Sequence, residues 1–361
     1  MNSPERIRCA AHCQRVDRTP VAPYLGNHGA RVAGVPIGQY CRSGRLMAEA
    51  QYRAWEIYGQ DAVVAQSDNY YIAEGFGVKV EHYEDATPTF KAPAIEALAE
   101  VGRVRLPDPT RDGRMPVYLE AIQRLSEMTR GQVAVRAPGT GPFSLASHIL
   151  GTERFLVELA LAERDPGGPG EQALKHLLEL STEALIAFAK ACLQAGAHLA
   201  QAGDSLASLD VVSPATYRKW AWPCERRFFE TLNPLAERCG AATVLHICGN
   251  MTPVLHLMAE TGAHILELDH KVSLKVAKER VGHRVCLMGN LDPVEVLWRG
   301  TPETVQRAAQ QAMADAGGGG GFILGSGCEV PVAAPRENLM AMIAAARQTD
   351  GLCESGPSFS S

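Results

Sequence analysis

Short apolar runs alternate with longer amphipathic segments along most of the chain. Segments with apolar positions at helical spacing, such as residues 46–59, 115–129 and 171–195, separate these runs. Strand-then-helix repetition predicts a parallel sheet with right-handed crossovers, and eight units predict a closed (β/α)8 TIM barrel. A doubly wound open α/β sheet is the alternative. The eight predicted strands are residues 21–26, 62–66, 132–138, 197–204, 242–248, 264–269, 284–290 and 321–327.

Three segments fall outside this repeat. Residues 78–92 alternate polar and apolar positions, which predicts a β-hairpin inserted after the second unit. Residues 1–20 resemble a helix that closes the bottom of the barrel. We expect residues 1–350 to form a single barrel domain and residues 351–361 to form a mobile tail.

Composition excludes several classes of protein. The chain has 361 residues, of which 46% are hydrophobic and 21% charged, as in ordinary soluble globular proteins. A net charge of −5 gives no electrostatic footprint for nucleic acid or a membrane surface. No apolar run has the roughly 18 residues needed to span a bilayer, and the first residues lack the apolar core of a signal peptide. We therefore expect a cytoplasmic protein, whose ten scattered cysteines are not a disulfide framework.

The strongest chemical signal is a His-x-Cys pair with a distant third residue. His246 and Cys248 end the fifth predicted strand, and Cys328 follows the eighth. Two thiolates and one imidazole are a zinc-binding set, and three protein ligands leave a fourth position open for catalysis. The alternative is that these residues are inert members of the core, where His and Cys also occur.

Other polar residues follow the predicted strands and would share the same barrel mouth. Asp68 and Asp204 are candidates for substrate orientation or catalysis, with helix N-capping as the alternative. Glu267, Asp269 or Glu329 could supply a fourth metal ligand, or could be paired structural carboxylates. The remaining candidates at the mouth are Asn27, His28, Ser67, Thr140, Ser205, Asn290 and Asp292.

Over roughly residues 4–347 the chain resembles the uroporphyrinogen decarboxylase superfamily. The similar segments are residues 61–80, 139–151, 202–214, 281–297 and 325–343, and the most specific are MGNLDP (288–293) and the last segment. The resemblance implies a (β/α)8 barrel, in agreement with the strand count.

The residues divide between the two branches of that superfamily. Decarboxylases carry an arginine-rich segment after the first strand, where this chain keeps only Arg31. They have Tyr in place of His148 and His in place of Cys328, whereas Asp68 matches their central aspartate. The zinc-dependent corrinoid methyltransferases, of the methylcobamide:coenzyme M and folate types, carry H-x-C and a late cysteine. Those positions correspond here to His246, Cys248 and Cys328.

The resemblance to the methyltransferase branch implies methyl transfer between a methylcorrinoid and a small thiol or folate acceptor. It implies Zn²⁺ as cofactor and a methylcorrinoid as co-substrate. No segment resembles a corrinoid-binding domain, so we expect a separate corrinoid protein as partner, a homodimer as the candidate assembly, and neither nucleic acid nor a membrane. The candidate residues are Asp68, Asp204 and His148 for catalysis, with a core position as the alternative for His148, and Asn27, His28, Thr140, Ser205 and Asn290 for cofactor binding.

Two other functions remain open at this point. A decarboxylase acting on an acidic tetrapyrrole would use Asp68 to stabilise a protonated pyrrole, but it needs cationic residues at the mouth. A protein that binds zinc or corrinoid without turnover would also carry these ligands.

Overall fold

A computed structural model describes residues 1–317 and 320–348, so the predicted tail at 351–361 lies outside the described residues. Strands β1 and β4–β9 form one parallel sheet in chain order, and β2 and β3 form a separate antiparallel pair within the segment 78–92. The strands are β1 (Ala62–Val64), β2 (Lys79–Glu81), β3 (Thr89–Ala92), β4 (Ala134–Arg136), β5 (Leu199–Gly203), β6 (Ala242–Ile247), β7 (Ile265–Leu268), β8 (Cys286–Leu291) and β9 (Phe322–Ser326). Seven of the eight predicted strands are therefore confirmed.

The first predicted strand, residues 21–26, is wrong in extent. Only Val21 forms a bridge to a strand, and a helix already begins at Gly26. The amide of Ala22 donates to Leu324 of β9, and the amide of Asp61 donates to Val21, both at 2.8 Å. Pro23 has no N–H to extend the ladder. This short segment still joins both edges of the parallel sheet, which gives a TIM-barrel-like fold.

Helices follow most strands and cover the outside of the sheet. Several helices are capped at their N-termini by side chains. The hydroxyls of Ser43, Ser273 and Thr301 accept hydrogen bonds from backbone amides in the first turns of the helices that follow them. The α-helices are α1 (Ser3–Ala11), α2 (Gly26–Ala33), α3 (Ile37–Tyr40), α4 (Gly44–Tyr58), α5 (Ala73–Phe76), α6 (Met115–Thr129), α7 (Pro142–Leu150), α8 (Thr152–Arg164), α9 (Pro169–Gln194), α10 (Pro214–Thr216), α11 (Trp222–Arg238), α12 (Leu255–Ala259), α13 (Leu274–Val281), α14 (Pro302–Ala316) and α15 (Arg336–Gln348).

Helix α1 closes the end of the sheet opposite the polar strand ends. Ile7 and Ala10 pack with Ala62, Ala134 and other apolar residues of the strands. This apolar plug leaves the C-terminal ends of the strands as the open mouth. Among the described residues, no helix combines the length and apolarity that a membrane crossing requires.

Candidate metal centre

The fold brings His246, Cys248 and Cys328 together at the C-terminal ends of β6 and β9. Their ligand atoms all lie within 4.8 Å of one another. His246 Nε2 is 3.2 Å from Cys248 Sγ, which is 3.9 Å from Cys328 Sγ. Zinc held tetrahedrally would separate two sulfur ligands by about 3.8 Å, and sulfur from nitrogen by about 3.6 Å. The three residues therefore fit a zinc ion with one open position.

The hydrogen bonds of His246 direct the correct nitrogen toward the two cysteines. Nδ1 lies 3.1 Å from the carbonyl oxygen of Glu267, so in the neutral ring, the form that binds a metal, Nδ1–H donates and Nε2 carries the lone pair. This backbone contact fixes the tautomer and the ring orientation that a metal ligand requires.

The charges of the three side chains are strongly linked. Burial lowers the pKa of His246, but the hydrogen bond to Cys248 and the charge of Glu267 outweigh it and raise this pKa to about 9. The hydrogen bond from Cys328, followed by the contact with His246, lowers the pKa of Cys248 to about 4. The same hydrogen bond and burial raise the pKa of Cys328. One thiolate is therefore already stable without a metal, and a bound cation would stabilise the second.

A buried ion pair lies directly beneath the metal centre. The guanidinium of Arg136 donates to both carboxylate oxygens of Glu267, at 2.8 and 2.5 Å, and to Gln201 at 2.7 Å. It also lies 4.5 Å from the ring centre of Tyr24. Because both oxygens of Glu267 are bonded to Arg136, Glu267 supports His246 rather than offering a fourth ligand.

Two adjoining cavities open at the metal centre. The inner cavity, of about 80 Å³, is lined by the three candidate ligands together with Tyr24, Gln66, Asn69, Gln201, Gly203, Ser205, Glu267 and Glu329. The outer cavity, of about 570 Å³, is lined by Asn27, Ser67, Asp68, Asn69, Tyr70, Thr87, Pro88, Thr89, Glu329, Val330, Pro331 and Val332. Asn69 and Glu329 belong to both, so the outer cavity leads to the metal centre.

Asp68 lies in the wall of the outer cavity with both carboxylate oxygens already bonded. Arg114 donates to them at 2.6 and 2.7 Å, and Tyr118 adds a bond at 3.2 Å. Asp68 also accepts the amide of Tyr70 at 2.9 Å. The structure therefore places this candidate in the wall of the outer cavity and in a fixed orientation.

The other two catalytic candidates lie outside both cavities. Asp204 is fully buried and accepts the amides of Phe143 and Ser144, at 3.1 and 2.7 Å, at the start of α7. It therefore caps a helix, the alternative given by the sequence. His148 packs against Tyr70 at a ring distance of 4.7 Å, its Nδ1 has no partner, and burial lowers its pKa to about 4.

Three of the predicted cofactor-binding residues lie in or beside the cavities. Asn27 lines the outer cavity, and Ser205 Oγ lies 3.5 Å from Cys248 Sγ in the inner one. Thr140 is one step removed, since its hydroxyl donates to the carbonyl of Asn69 at 3.0 Å. Thr140 therefore positions a residue shared by the two cavities.

The remaining two make structural contacts. His28 is buried between the carbonyl of Val332 and the hydroxyl of Tyr58, at 3.2 and 2.9 Å. The side-chain amide of Asn290 donates to the carbonyls of Asp269 and Val272, at 3.0 and 2.7 Å. Neither residue lines the inner or the outer cavity.

Of the proposed fourth ligands, Glu329 has the freest position. Asp269 is bonded through both oxygens to the amides of Gly249 and Lys271, each at 2.9 Å. Glu329 is bonded through Oε1 to the backbone and side-chain amides of Asn27, at 3.0 and 3.2 Å. Its carboxylate lies where the two cavities meet.

A second group of ligand-type side chains does not fit a metal as well. His12, which caps the C-terminus of α1, comes within the same distance limit of Glu237 and His264. The backbone amide of Thr243 donates to Nδ1 of His264 at 3.1 Å, so the proton of the neutral ring stays on Nε2, which faces Glu237 at 3.1 Å. That tautomer donates a hydrogen bond and has no lone pair for a metal.

Arg136 and Arg114 are important neighbours of the site that the pattern of strand ends did not identify. Arg136 stands inside the apolar run QVAVRAP, and a charged residue in a buried strand signals a buried partner. For Arg114, which follows Gly113 in a polar loop, the sequence offers no comparable signal.

The fold and the donor set together define a class: a TIM-barrel-like α/β protein with three potential metal ligands gathered at the strand ends. The sequence profile of the uroporphyrinogen decarboxylase (URO-D) family matches residues 2–349. The chain belongs to that family.

Similar proteins include members named as methyltransferases. A methylcobamide:CoM methyltransferase of Methanosarcina acetivorans is 34% identical over 347 residues, which cover 95% of this chain and 97% of the relative. Its counterpart in Methanosarcina mazei is 30% identical over 348 residues, with the same two coverages. A solved structure titled as a methyltransferase from Methanosarcina mazei has a TM-score of 0.86 at 27% identity, and covers 96% of this chain and 99% of that one.

Proposed function

We propose that this protein is a zinc-dependent methyltransferase that moves a methyl group between a methylcorrinoid and a small thiol. The convergence of His246, Cys248 and Cys328 on one tetrahedral volume is the observation that carries the proposal. The two relatives named as methylcobamide:CoM methyltransferases, which match nearly the whole chain, support it. Residues 1–350 would act as one catalytic domain.

Zinc bound at this centre would lower the pKa of an acceptor thiol so that it is held as a thiolate. The residues of the chain prepare the site. The Glu267 carbonyl holds His246 in the ligating tautomer, and Ser205 can donate to the thiolate of Cys248. Asn69 and Glu329 lie where the non-reacting part of an acceptor must pass.

A thiol is favoured over a folate because of the position of Asp204. Methyl transfer to or from a ring nitrogen needs a group in reach that takes up or supplies the proton of that nitrogen, and Asp204 is the candidate. Its carboxylate is buried and bonded to two backbone amides of α7. The corrinoid would arrive from solution or on a separate protein.

The decarboxylase alternative is less well supported. An acidic tetrapyrrole requires positive charge at the mouth, and neither Lys nor Arg lines the inner or the outer cavity in the described part of the chain. Asp68, the residue that alternative depends on, is already paired with Arg114.

Metal content tests the proposal directly. We expect about one zinc per chain in wild-type protein purified without chelators, measured by mass spectrometry, and loss of the metal in Cys328→Ser. Cys239→Ser is the matched control, because Cys239 is exposed and distant from the site, and it should keep its zinc. A metal-free wild type would contradict the proposal. The zinc-loaded protein should then consume methylcobalamin in the presence of a thiol.

A further inference from the structure

The charges around the two cavities limit the kind of acceptor that the site can hold. We propose that the part of the acceptor next to its reacting sulfur is uncharged or cationic, and that the site discriminates against an anionic group there. This inference rests on the proposed methyl transfer, because it concerns the acceptor of that reaction. It also separates this chain from relatives named for coenzyme M, a thiol that carries a sulfonate.

The charged side chains on the walls of the outer cavity are both acidic. They are Asp68 and Glu329, and the other wall residues of that cavity are neutral. Glu329 also forms part of the inner cavity, so an acceptor attached at the metal centre must pass it. An anionic group at this point would meet the acidic side chain of Glu329 and no Lys or Arg counter-ion, which opposes binding.

Arg114, which is bonded to the wall residue Asp68 of the outer cavity, is already paired. Arg114 donates to both oxygens of Asp68 and, through Nε, to Glu74 at 2.6 Å. It donates further to the carbonyl of Cys41 at 3.2 Å. Two carboxyl groups and one carbonyl therefore share this guanidinium.

The arginine beneath the inner cavity is also fully committed. Arg136 is bonded to both oxygens of Glu267 and to Gln201, and only 2% of its surface is exposed. An anionic acceptor would have to displace one of these partners.

Among the residues that the structure describes, no Lys or Arg lines either cavity. The residues outside the described part of the chain, 318–319 and 349–361, contain neither Lys nor Arg nor His. Arg31 lines a separate cavity that shares only Val332 with the outer one. It could meet a distant end of a long molecule, but the inner cavity, where the sulfur and its neighbouring atoms must lie, has no such residue.

The neutral walls suit a polar group without negative charge. Asn69, Thr87 and Thr89 offer amide and hydroxyl groups, and Glu329 offers a carboxylate whose Oε1 is fixed by Asn27. Hydroxyl and ammonium groups can donate to the carboxyl oxygens of Glu329, which a sulfonate cannot do because it has no hydrogen-bond donor.

Three two-carbon thiols test the proposal: 2-mercaptoethanol, cysteamine and 2-mercaptoethanesulfonate. Calorimetry of the zinc-loaded protein gives their dissociation constants, and methylcobalamin consumption gives kcat/KM. We expect the sulfonate to bind at least about tenfold more weakly than either of the other two. Glu329→Gln can still accept hydrogen bonds from Asn27. We expect this substitution to reduce the ratio of the dissociation constant of the sulfonate to that of cysteamine about tenfold. Glu295→Gln, at an exposed position outside these cavities, should leave it unchanged.

The outcomes separate this inference from the proposed function. Equal or tighter binding of the sulfonate, or binding of none of the thiols, would overturn the charge selectivity. If the expected order of binding is found but no thiol becomes methylated, the selectivity stands and the proposed methyl transfer fails. The three thiols differ in intrinsic reactivity. That difference cancels when a variant and the wild type are compared with the same thiol.

Discussion

Replacing Arg136 with Met tests whether the ion pair beneath the metal centre is as tightly integrated as its geometry indicates. The substitution keeps an unbranched side chain of similar length but removes the charge. Glu267 would then lose both of its bonds to the guanidinium, and Gln201 would lose a third. Only 3% of the surface of Glu267 is exposed, so bulk water has little access to the carboxylate that is left unpaired.

The expected loss is large because one charge stays behind. Removing one partner of a buried ion pair costs about 3–5 kcal/mol of folding free energy, mostly because the other charge is left unpaired. Arg136 also stacks on Tyr24 at 4.5 Å, a contact that adds to the loss. The double variant Arg136→Met, Glu267→Leu removes the unpaired charge, and we expect it to recover at least about 2 kcal/mol relative to the single variant.

Urea denaturation followed by circular dichroism measures these free energies of unfolding. Arg124→Met is the matched control, because Arg124 forms an ion pair with Glu120 in which both side chains are 45% exposed. Such surface pairs contribute only about 0.2–1 kcal/mol. Two results would refute the reasoning: a free energy of unfolding for Arg136→Met within about 1 kcal/mol of the wild-type value, or a double variant no more stable than the single one. Either result would mean that the two side chains do not depend on each other as a buried ion pair.

Two further predictions concern the buried candidates that lie outside the cavities. Asp204→Ala should lower the free energy of unfolding by about 1–2 kcal/mol, because the cap on α7 is lost. The zinc content should not change. Loss of zinc without loss of stability would refute the capping role. For His148, burial lowers the pKa from 6.5 to about 4, so between those pH values the unfolded chain binds a proton that the folded chain does not, and stability falls as the pH falls. Between pH 7 and pH 5 the free energy of unfolding of the wild type should fall by about 2 kcal/mol more than that of His148→Leu. Urea denaturation at both pH values measures these changes, and equal falls for the two proteins would contradict this account.

The sheet could be predicted because its strands are apolar on both faces and are separated by amphipathic helices. Seven runs therefore stand out, and all seven are strands. The first run failed for a local reason, since Pro20 and Pro23 flank Val21 and leave few amides for a ladder. A pattern of hydrophobic residues does not show that these backbone hydrogen-bond donors are missing.

The candidate ligands could be predicted, but the roles of the carboxylates could not. His246, Cys248 and Cys328 carry a distinctive combination of atoms, and the barrel topology requires strand ends to meet. A carboxylate after a strand, in contrast, has the same sequence signature whether it faces a cavity or caps a helix. Asp68 and Asp204 both follow strands, yet one lies in a cavity wall and the other is buried beneath α7.

The charge of the site depends on pairings between distant parts of the chain, which explains why the sequence alone does not reveal it. Asp68 and Arg114 are 46 residues apart, and Arg136 and Glu267 are 131 apart. With either arginine free, the same set of residues would favour an anionic acceptor. With both arginines bonded to carboxylates, the acidic side chain of Glu329 lies where the two cavities meet without a Lys or Arg partner there. The selectivity of the site is therefore decided by which charges the fold has already neutralised, and the comparison of the three thiols measures that property directly.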